Sequence, residues 1–352
     1  MINNILEEKK TLTKQNQEKK FNYAIDNFRA ISIIFVILSH LNFYGLDDFN
    51  EIIKFILADA TTFFVFISGF LFHHLSENNF NFKRYITKKS KFVGYPYLLI
   101  SSILIVVGLA LGHNIRYDLQ PLSYIAFSLW AGGLINGPTW FIPMIWCFFI
   151  FSPLLMFIAK KTYIFPIIVF SALFISLFSA RPYMGANPVL SAIHFFGFYM
   201  FGMYLSKNPQ LIIVAKKHAM KVVMACIISL FFIYPYYATK QYNVDLGFFA
   251  GFLKPNFLQI AKLFMLIAIL TIIEKFFNKK NMVMNYIASI SFGLFFLHGL
   301  CLAVANKLLA YTNLSNTESN LFQMFFVIVG SIASITVSRM IFGKRSKYVI
   351  GC

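Results

Sequence analysis

Ten apolar segments, separated by short polar or charged stretches, account for most of the sequence. They cover residues 28–46, 52–75, 92–112, 139–159, 163–180, 189–206, 219–237, 257–276, 284–305 and 321–342. Most are close to the ~20 residues that an α-helix needs to cross the hydrocarbon core of a bilayer. The pattern therefore predicts an all-α, polytopic integral membrane protein with about ten transmembrane helices.

The positive charges alternate between the connections of these segments. Most of the 31 Lys and Arg residues fall in the N-terminal stretch, in every second loop and in the C-terminal stretch. Because loops rich in Lys and Arg stay in the cytoplasm, both termini are predicted to be cytoplasmic. The chain then divides into a cytoplasmic tail (1–20), a transmembrane domain (21–342) and a second cytoplasmic tail (343–352).

Composition agrees with this membrane class. Hydrophobic residues make up 59% of the chain and charged residues 12%, with a mean hydropathy of +0.69, whereas soluble domains carry about twice that charged fraction. The net charge of +18 is explained by topology, so we expect membrane lipids and no nucleic acid as partners. The polar first 20 residues contain no apolar signal region, so the first span is expected to be an uncleaved insertion signal. No cysteine pair has metal-ligand spacing, and no metal site is predicted.

Arg29 and His40 lie eleven residues apart in the first apolar segment. Eleven residues make about three helical turns, so the two side chains point the same way, roughly 16 Å apart along the axis. Ionisable residues within a membrane helix usually face a protein interior or a watery cavity and indicate a functional site. Asp26 precedes Arg29 by one turn and is placed to pair with it. The alternatives are an interfacial ion pair and an internal histidine that is hydrogen-bonded to a neighbouring helix.

A second imidazole, His298, is predicted at a depth similar to that of His40. It lies in the outer half of the ninth segment, and Ser291 precedes it by seven residues on the same helical face. The two histidines are therefore candidates for lining one cavity, and the alternative for His298 is a structural role.

Other polar residues within the spans have simpler explanations. Thr61 and Ser68 share a face of the second segment, where small polar residues favour close helix packing. Trp140 begins the fourth segment, where an interfacial aromatic belt explains it. Lys262 lies about one turn into the eighth segment and is expected to extend its amine outward.

The loop FKRYITKKSK is the most basic connection in the chain. It carries Lys83, Arg84, Lys88, Lys89 and Lys91 within nine residues. Such a cluster suits a phosphate-rich ligand, and the alternative is a role in membrane topology and in contact with anionic lipid headgroups.

Several segments, in this order, resemble the membrane acyltransferase 3 family, which comprises integral-membrane O-acyltransferases of bacterial surface glycans. The run IDNFRAISIIFVILSH resembles its opening motif. The others are FFVFISGFLF, KRYITKKSKFVGYPYLL, TWFIPMIWCFFIFSPLL and SISFGLFFLHG. The resemblance covers about residues 21–342. The chain departs from it in having mainly Lys in the basic loop, where Arg pairs are frequent, and Phe295 or Phe296, where many members have Tyr.

The resemblance implies an enzyme that transfers an acyl group, most often acetyl, from cytoplasmic acyl-CoA to a sugar hydroxyl. The acceptor would be a cell-surface or lipid-linked glycan (lipopolysaccharide O-antigen, capsule or another exopolysaccharide), and the location the bacterial cytoplasmic (inner) membrane. It implies His40 as general base, Arg29 as a donor-binding residue and Asp26 as the residue that orients Arg29. Acetyl-CoA would be a donor substrate, with no tightly bound cofactor.

The same resemblance implies that the basic loop contacts the CoA phosphates through Lys83, Arg84, Lys88 and Lys89. We place Ser68, Trp140 and His298 at the substrate. Two alternatives remain at this point. A transporter or flippase of a lipid-linked glycan also carries intramembrane charges, and a polytopic sensor or scaffold would use them structurally.

Overall fold

The computed structural model describes residues 23–41, 47–116, 118–132, 137–182, 187–238 and 255–352. These residues form helices and connecting turns, with no β-strand among them. The predicted all-α membrane class is therefore confirmed for the described part of the chain.

Seventeen α-helices are described. They are α1 (Tyr23–Ser39), α2 (Asp47–Leu57), α3 (Thr61–Ser76), α4 (Phe82–Lys89), α5 (Tyr95–Ala110), α6 (His113–Arg116), α7 (Pro121–Ala131), α8 (Phe141–Ile150), α9 (Ser152–Lys160), α10 (Ile164–Leu177), α11 (Pro188–Lys207), α12 (Pro209–Lys217), α13 (Ala219–Ala238), α14 (Phe257–Ile272), α15 (Met282–Leu309), α16 (Asn316–Phe342) and α17 (Ser346–Val349). Short π-helical turns (Ser90–Gly94 and Ile273–Phe277) and 3₁₀ turns (Gly137–Trp140 and Gly343–Arg345) adjoin them.

Each of the ten predicted spans overlaps one of these helices or a broken pair, while residues 42–46 of the first span and the predicted tail 1–20 lie outside the described residues. Within the described part of the chain, seven helical stretches are long and apolar enough to cross a membrane, or eight when α8 and α9, which meet at 52°, are counted as one broken span. The remaining two, α1 with 17 residues and α10 with 14, are shorter. Large apolar side chains on the outer surface of the bundle, among them Ile103, Phe170 and Phe231, are more than half exposed, as expected for a surface that faces lipid.

Contacts between loops agree with the predicted alternation of sides. The side chain of Asn27 donates to the carbonyl of Phe277 at 2.6 Å, which joins the N-terminal end of α1 to the loop before α15. On the other side, Asn256 donates to the carbonyl of Ser179 at 3.0 Å. The loops that the sequence assigns to one side thus meet one another, while the cytoplasmic identity of the more basic side stays a prediction.

Helices α3 and α11 pack at backbone distance. A Cβ atom at Gly69 would lie 2.8 Å from the carbonyl carbon of Tyr199, and one at Gly202 would lie 2.8 Å from the amide nitrogen of Phe70. Small residues permit this approach between membrane helices. The side chain of Ser68 lies on a different face of α3 from Gly69, so only the glycine of this Ser-Gly pair makes the close contact with α11.

The second predicted span is broken between α2 and α3. Asp59 sits at the break with a φ of 51°, a left-handed conformation that aspartate tolerates better than most residues. The buried amine of Lys262 donates to the carbonyls of Phe55 and Ile56, at 3.0 and 2.7 Å, at the end of α2. The expectation that Lys262 extends outward was wrong, because these unpaired helix-end carbonyls offer it partners inside the bundle.

The segment after α16 folds back onto the bundle. Gly343, with a φ of 52°, ends α16. The hydroxyl of Ser346 donates to the carbonyl of Cys352 at 2.8 Å, and Ile350 and Cys352 are buried. Residues 343–352, predicted as a tail, therefore form a packed edge of the helical domain.

Candidate active site

A cavity of about 770 Å³ lies between α1, α3, α4, α8 and α15 on the basic side of the protein. Its wall combines cations, hydroxyls and aromatic rings. The residues that line it include Arg29, Ile67, Ser68, Phe72, Asn81, Arg84, Tyr85, Lys88, Lys89, Phe92, Phe141, Ser291, Phe292 and Gly351. Five residues predicted at the site, from three separate helices, thus share one cavity: Arg29, Ser68, Arg84, Lys88 and Lys89.

The basic wall is carried by α4. The side-chain oxygen of Asn81 caps this helix by accepting the backbone N–H of Arg84 at 2.9 Å. Its polar face then presents Arg84 and Lys88 to the cavity, while the Lys89 amine lies 4.6 Å from the ring centre of Phe149, within cation–π range.

Lys83 does not line this cavity. It lines an adjoining groove of about 440 Å³, together with Thr87, Lys91 and Tyr348. The groove and the cavity share the side chains of Asn81, Arg84, Lys88 and Phe92. The predicted phosphate-binding cations are thus divided between two adjoining spaces.

Arg29 brings a partly unsatisfied guanidinium to the same cavity. One terminal nitrogen lies 3.4 Å from a carboxylate oxygen of Asp26, so the predicted ion pair is present. The Nε atom is buried and has no hydrogen-bond partner within the described part of the chain. Arg29 therefore retains donor capacity for a ligand in the cavity.

The two histidines form a separate pair. The ring centres of His40 and His298 lie 5.3 Å apart, which agrees with their predicted common depth. Nδ1 of His298 lies 2.9 Å from the carbonyl oxygen of Leu294. Since a carbonyl can only accept, this contact places the His298 proton on Nδ1 and leaves Nε2 with its lone pair. Neither imidazole lines the cavity.

Two phenylalanines separate the cavity from the imidazole pair. Phe141 lines the cavity and its ring centre lies 5.4 Å from that of Phe295, which in turn lies 6.2 Å from the His298 ring. Ser291, at the cavity, and His298 share a face of α15 about 10 Å apart along the helix axis. The cavity and the imidazole pair therefore lie one after the other along α15.

Trp140 lies on the far side of this arrangement and outside the cavity. Its indole is 6% exposed and is stacked on Phe195 at 5.9 Å. The guanidinium carbon of Arg181 lies 5.0 Å from the indole centre. A buried, stacked indole is positioned to support Arg181.

A polar network near Arg181 was not singled out from the sequence. Arg181 pairs with the carboxylate of Asp59, whose other oxygen accepts from the side-chain amide of Gln259 at 3.2 Å. That amide also lies 2.8 Å from the buried His194, which contacts Ser179 at 3.0 Å. Its signal in the sequence is Asp59, an acidic residue within an apolar segment.

Across the described residues, no three or more His, Cys, Asp or Glu side chains are grouped as ligands for a metal ion.

Comparison with known proteins identifies the family. The model of the acyltransferase domain family, acyltransferase 3, matches residues 22–340. The chain therefore belongs to the acyltransferase 3 family, and it is a membrane acyltransferase. Neither the curated proteins nor the solved structures include a significant match.

Proposed function

We propose that this acyltransferase 3 protein transfers an acyl group, most often acetyl, from cytoplasmic acyl-CoA to a sugar hydroxyl. The acceptor is a cell-surface or lipid-linked glycan, such as lipopolysaccharide O-antigen, capsule or exopolysaccharide, and the location is the bacterial cytoplasmic membrane. The observation that carries the proposal is the continuous arrangement of a cationic cavity, two phenylalanines and an imidazole pair.

The cavity suits an elongated thioester donor with phosphates at one end. Arg84 and Lys88 at its mouth provide charge-assisted hydrogen bonds to phosphate oxygens. Arg29, which lines the same cavity from α1, donates hydrogen bonds to the polar groups of the pantetheine arm. An extended pantetheine arm is of the same length order as the roughly 16 Å between Arg29 and His40. To reach His40, the acyl end must pass the contact between Phe141 and Phe295.

In the proposed reaction, a neutral His40 accepts the proton of the sugar hydroxyl while the hydroxyl oxygen attacks the thioester carbonyl carbon. A C–O bond forms and the carbonyl π bond opens to a tetrahedral oxyanion. Collapse of this intermediate breaks the C–S bond, and the imidazolium of His40 returns its proton to the leaving CoA thiolate. The products are the sugar ester and CoA, and no further co-reactant is needed.

The acceptor approaches from the side opposite the basic cavity. On that side, the ion pair of Arg181 with Asp59 presents both hydrogen-bond donors and acceptors. Such a pair suits the hydroxyls of a neutral sugar. Trp140 contributes by holding Arg181, and His298 by contacting His40.

The proposal is tested by the mass of the surface glycans. Cells that lack the protein are complemented with wild type, His40→Ala or His218→Ala, where His218 is an exposed histidine outside the site. We expect one acetyl mass to be lost in the deletion and restored by wild type and His218→Ala but not by His40→Ala. Restoration by His40→Ala would remove the general-base role. An unchanged glycan mass with reduced surface abundance would instead favour transport of a lipid-linked glycan.

A further inference from the structure

The polar network around Arg181 has one exposed end and a buried interior. The side chain of Arg181 is 34% exposed, and that of its partner Asp59 is 11% exposed. Gln259 and His194, which continue the network, are fully buried. A ligand from outside the bundle can therefore reach the guanidinium of Arg181, whereas the buried amide and imidazole can act only through the residues that they contact.

Each hydrogen bond of the interior has a defined direction. The side-chain nitrogen of Gln259 lies 3.2 Å from a carboxylate oxygen of Asp59 and 2.8 Å from Nε2 of His194. Because an ionised carboxylate can only accept, one N–H of the amide donates to Asp59, and the other donates to Nε2 of His194. The imidazole proton then lies on Nδ1, which donates to the hydroxyl oxygen of Ser179 at 3.0 Å.

The amide of Gln259 is also oriented from its other end. The hydroxyl of Thr62 donates to the amide oxygen at 3.4 Å. If the amide turned over, its oxygen would lie against the carboxylate of Asp59, and two acceptors would face each other. The surroundings of Gln259 therefore allow one orientation of its side chain.

The backbone fixes the interior of the network. Asn256 caps α14 by accepting the backbone N–H of Gln259 at 3.1 Å, and its own amide donates to the carbonyl of Ser179 at 3.0 Å. The hydroxyl oxygen of Ser176 accepts the backbone N–H of Gly197 at 2.9 Å, which ties α10 to α11. The amide and the imidazole are thus anchored on packed helices, whereas the carboxylate that they hold lies at the break between α2 and α3.

Two groups hold the guanidinium of Arg181. Asp59 pairs with it, and the indole centre of Trp140 lies 5.0 Å from its central carbon. Trp140 is stacked on Phe195, and its ring centre lies 6.4 Å from that of Phe141, the first of the two phenylalanines that lead to the imidazole pair. The position of the guanidinium therefore depends on the carboxylate and on the indole.

We infer that Gln259 and His194 are positioning residues for the acceptor side of the reaction. Gln259 holds the carboxylate of Asp59, so the exposed guanidinium of Arg181 meets the sugar hydroxyls in one orientation. His194 accepts the second N–H of the amide and keeps Gln259 directed at Asp59. Neither buried side chain touches the sugar. The inference rests on the proposed function, in which the pair of Arg181 and Asp59 serves the acceptor.

The first test measures the position of Arg181 without any reaction. Trp130 and Trp146 are replaced by Phe, so that Trp140 is the remaining tryptophan of the three in the chain, and its fluorescence emission is recorded. Arg181→Gln gives the spectrum of the indole without its cation. Gln259→Leu should change the emission in the same direction as Arg181→Gln. Emission of Gln259→Leu that is identical to that of the parent protein would overturn the inference.

The matched control for Gln259 is Gln323. It is also a buried glutamine, and its amide donates to Asn306 at 2.5 Å between α15 and α16, outside the network. Gln323→Leu removes a buried amide hydrogen bond and should leave the Trp140 emission unchanged. An equal change in Gln259→Leu and Gln323→Leu would show a general loosening of the bundle and would contradict a specific positioning role.

A second pair of variants tests the imidazole. His194→Gln keeps a hydrogen-bond acceptor for the amide of Gln259, whereas His194→Phe keeps a ring but has no acceptor. His194→Gln should retain the emission of the parent protein, and His194→Phe should resemble Gln259→Leu. Equal behaviour of the two His194 variants would mean that the ring acts by packing alone.

The last test separates the acceptor from the donor. Surface polysaccharide purified from cells that lack the protein is acetylated with labelled acetyl-CoA by membranes that contain each variant. Gln259→Leu should raise the KM for the polysaccharide about tenfold and leave the Kd of the purified protein for CoA unchanged. A similar loss for both ligands would overturn the inference. Absence of transfer by the wild-type protein would instead count against the proposed function, while the emission of Trp140 would still decide whether Gln259 positions Arg181.

Discussion

Nδ1 of His298 donates to the carbonyl of Leu294, and the ring of His298 lies 5.3 Å from the ring of His40. The hydrogen bond fixes the tautomer, so Nε2 of His298 carries a lone pair and has no hydrogen-bond partner among the described residues. His40, just past the last residue of α1, lies in a turn. The imidazole on α15 is thus held by a backbone hydrogen bond, and its ring lies against that of His40.

We predict that the two histidines act as a unit. His40→Ala should reduce kcat for acyl transfer by about a hundredfold or more, which is the usual range for a general base. His298→Gln should cause a loss of similar size, and the double variant should be no worse than the more impaired single variant. The measurement is transfer of labelled acetyl from acetyl-CoA in membranes that contain each variant. Full activity in His298→Gln would restrict that residue to packing.

Removal of the Arg29 side chain should affect the donor and leave the fold intact. Its ion pair with Asp26 is partly exposed, so the pair itself contributes at most about 1 kcal/mol to stability. Arg29 lines the cavity, and its buried Nε lacks a partner in the described part of the chain. Arg29→Ala should therefore raise the KM for acetyl-CoA about tenfold or more without lowering the Tm.

Lys54→Ala provides the matched control for Arg29. Lys54 forms an ion pair of the same spacing with Glu51 but is more exposed and lies outside the cavity. It should leave both KM and Tm unchanged. A Tm that falls in Arg29→Ala as much as the activity would contradict the donor-binding role.

Lys262 should be needed for stability. Its amine satisfies two carbonyls at the end of α2, and a buried polar group left without a partner costs about 1–3 kcal/mol. Lys262→Met should lower the Tm of the detergent-solubilised protein clearly below that of Lys275→Met, whose lysine is exposed on the same span. Identical melting curves for the two variants would show that α2 ends without help from Lys262.

Gly69 should tolerate no side chain. In Gly69→Ala the new Cβ would meet the backbone of Tyr199, which cannot move without separating α3 from α11. We expect a large loss of monodisperse protein in size-exclusion chromatography. Gly330→Ala is the control, because there the nearest neighbour of a Cβ is the Cys301 sulfur at 3.5 Å, an ordinary contact. Normal folding of Gly69→Ala would mean that the two helices pack less closely than described.

The sequence predicted those parts of the protein that depend on local pattern. The spans follow from segment length and hydropathy, and the common depth of His40 and His298 follows from counting residues into two spans. The Asp26–Arg29 pair follows from helical spacing. None of these predictions requires knowledge of how the helices are arranged in the bundle.

The sequence did not predict contacts between distant residues. Lys262 was expected to reach the membrane surface, because the break in the second span that supplies its carbonyl partners is not visible in a continuous apolar pattern. The fold-back of residues 343–352 depends on Gly343 and on burial against α5 and α15, and a short basic segment gives little sign of either. The ion pair between Asp59 and Arg181 joins residues 122 positions apart.

Ser291 and His298 lie seven residues apart on one face of α15, with the cavity at the first and the imidazole pair at the second. On the proposed chemistry, this spacing makes the reaction vectorial. The energy of a thioester made in the cytoplasm would be used on a sugar at the opposite side, while CoA returns to the pool from which it came. Modification of an external glycan would then require neither export of an activated donor nor a source of energy outside the cell.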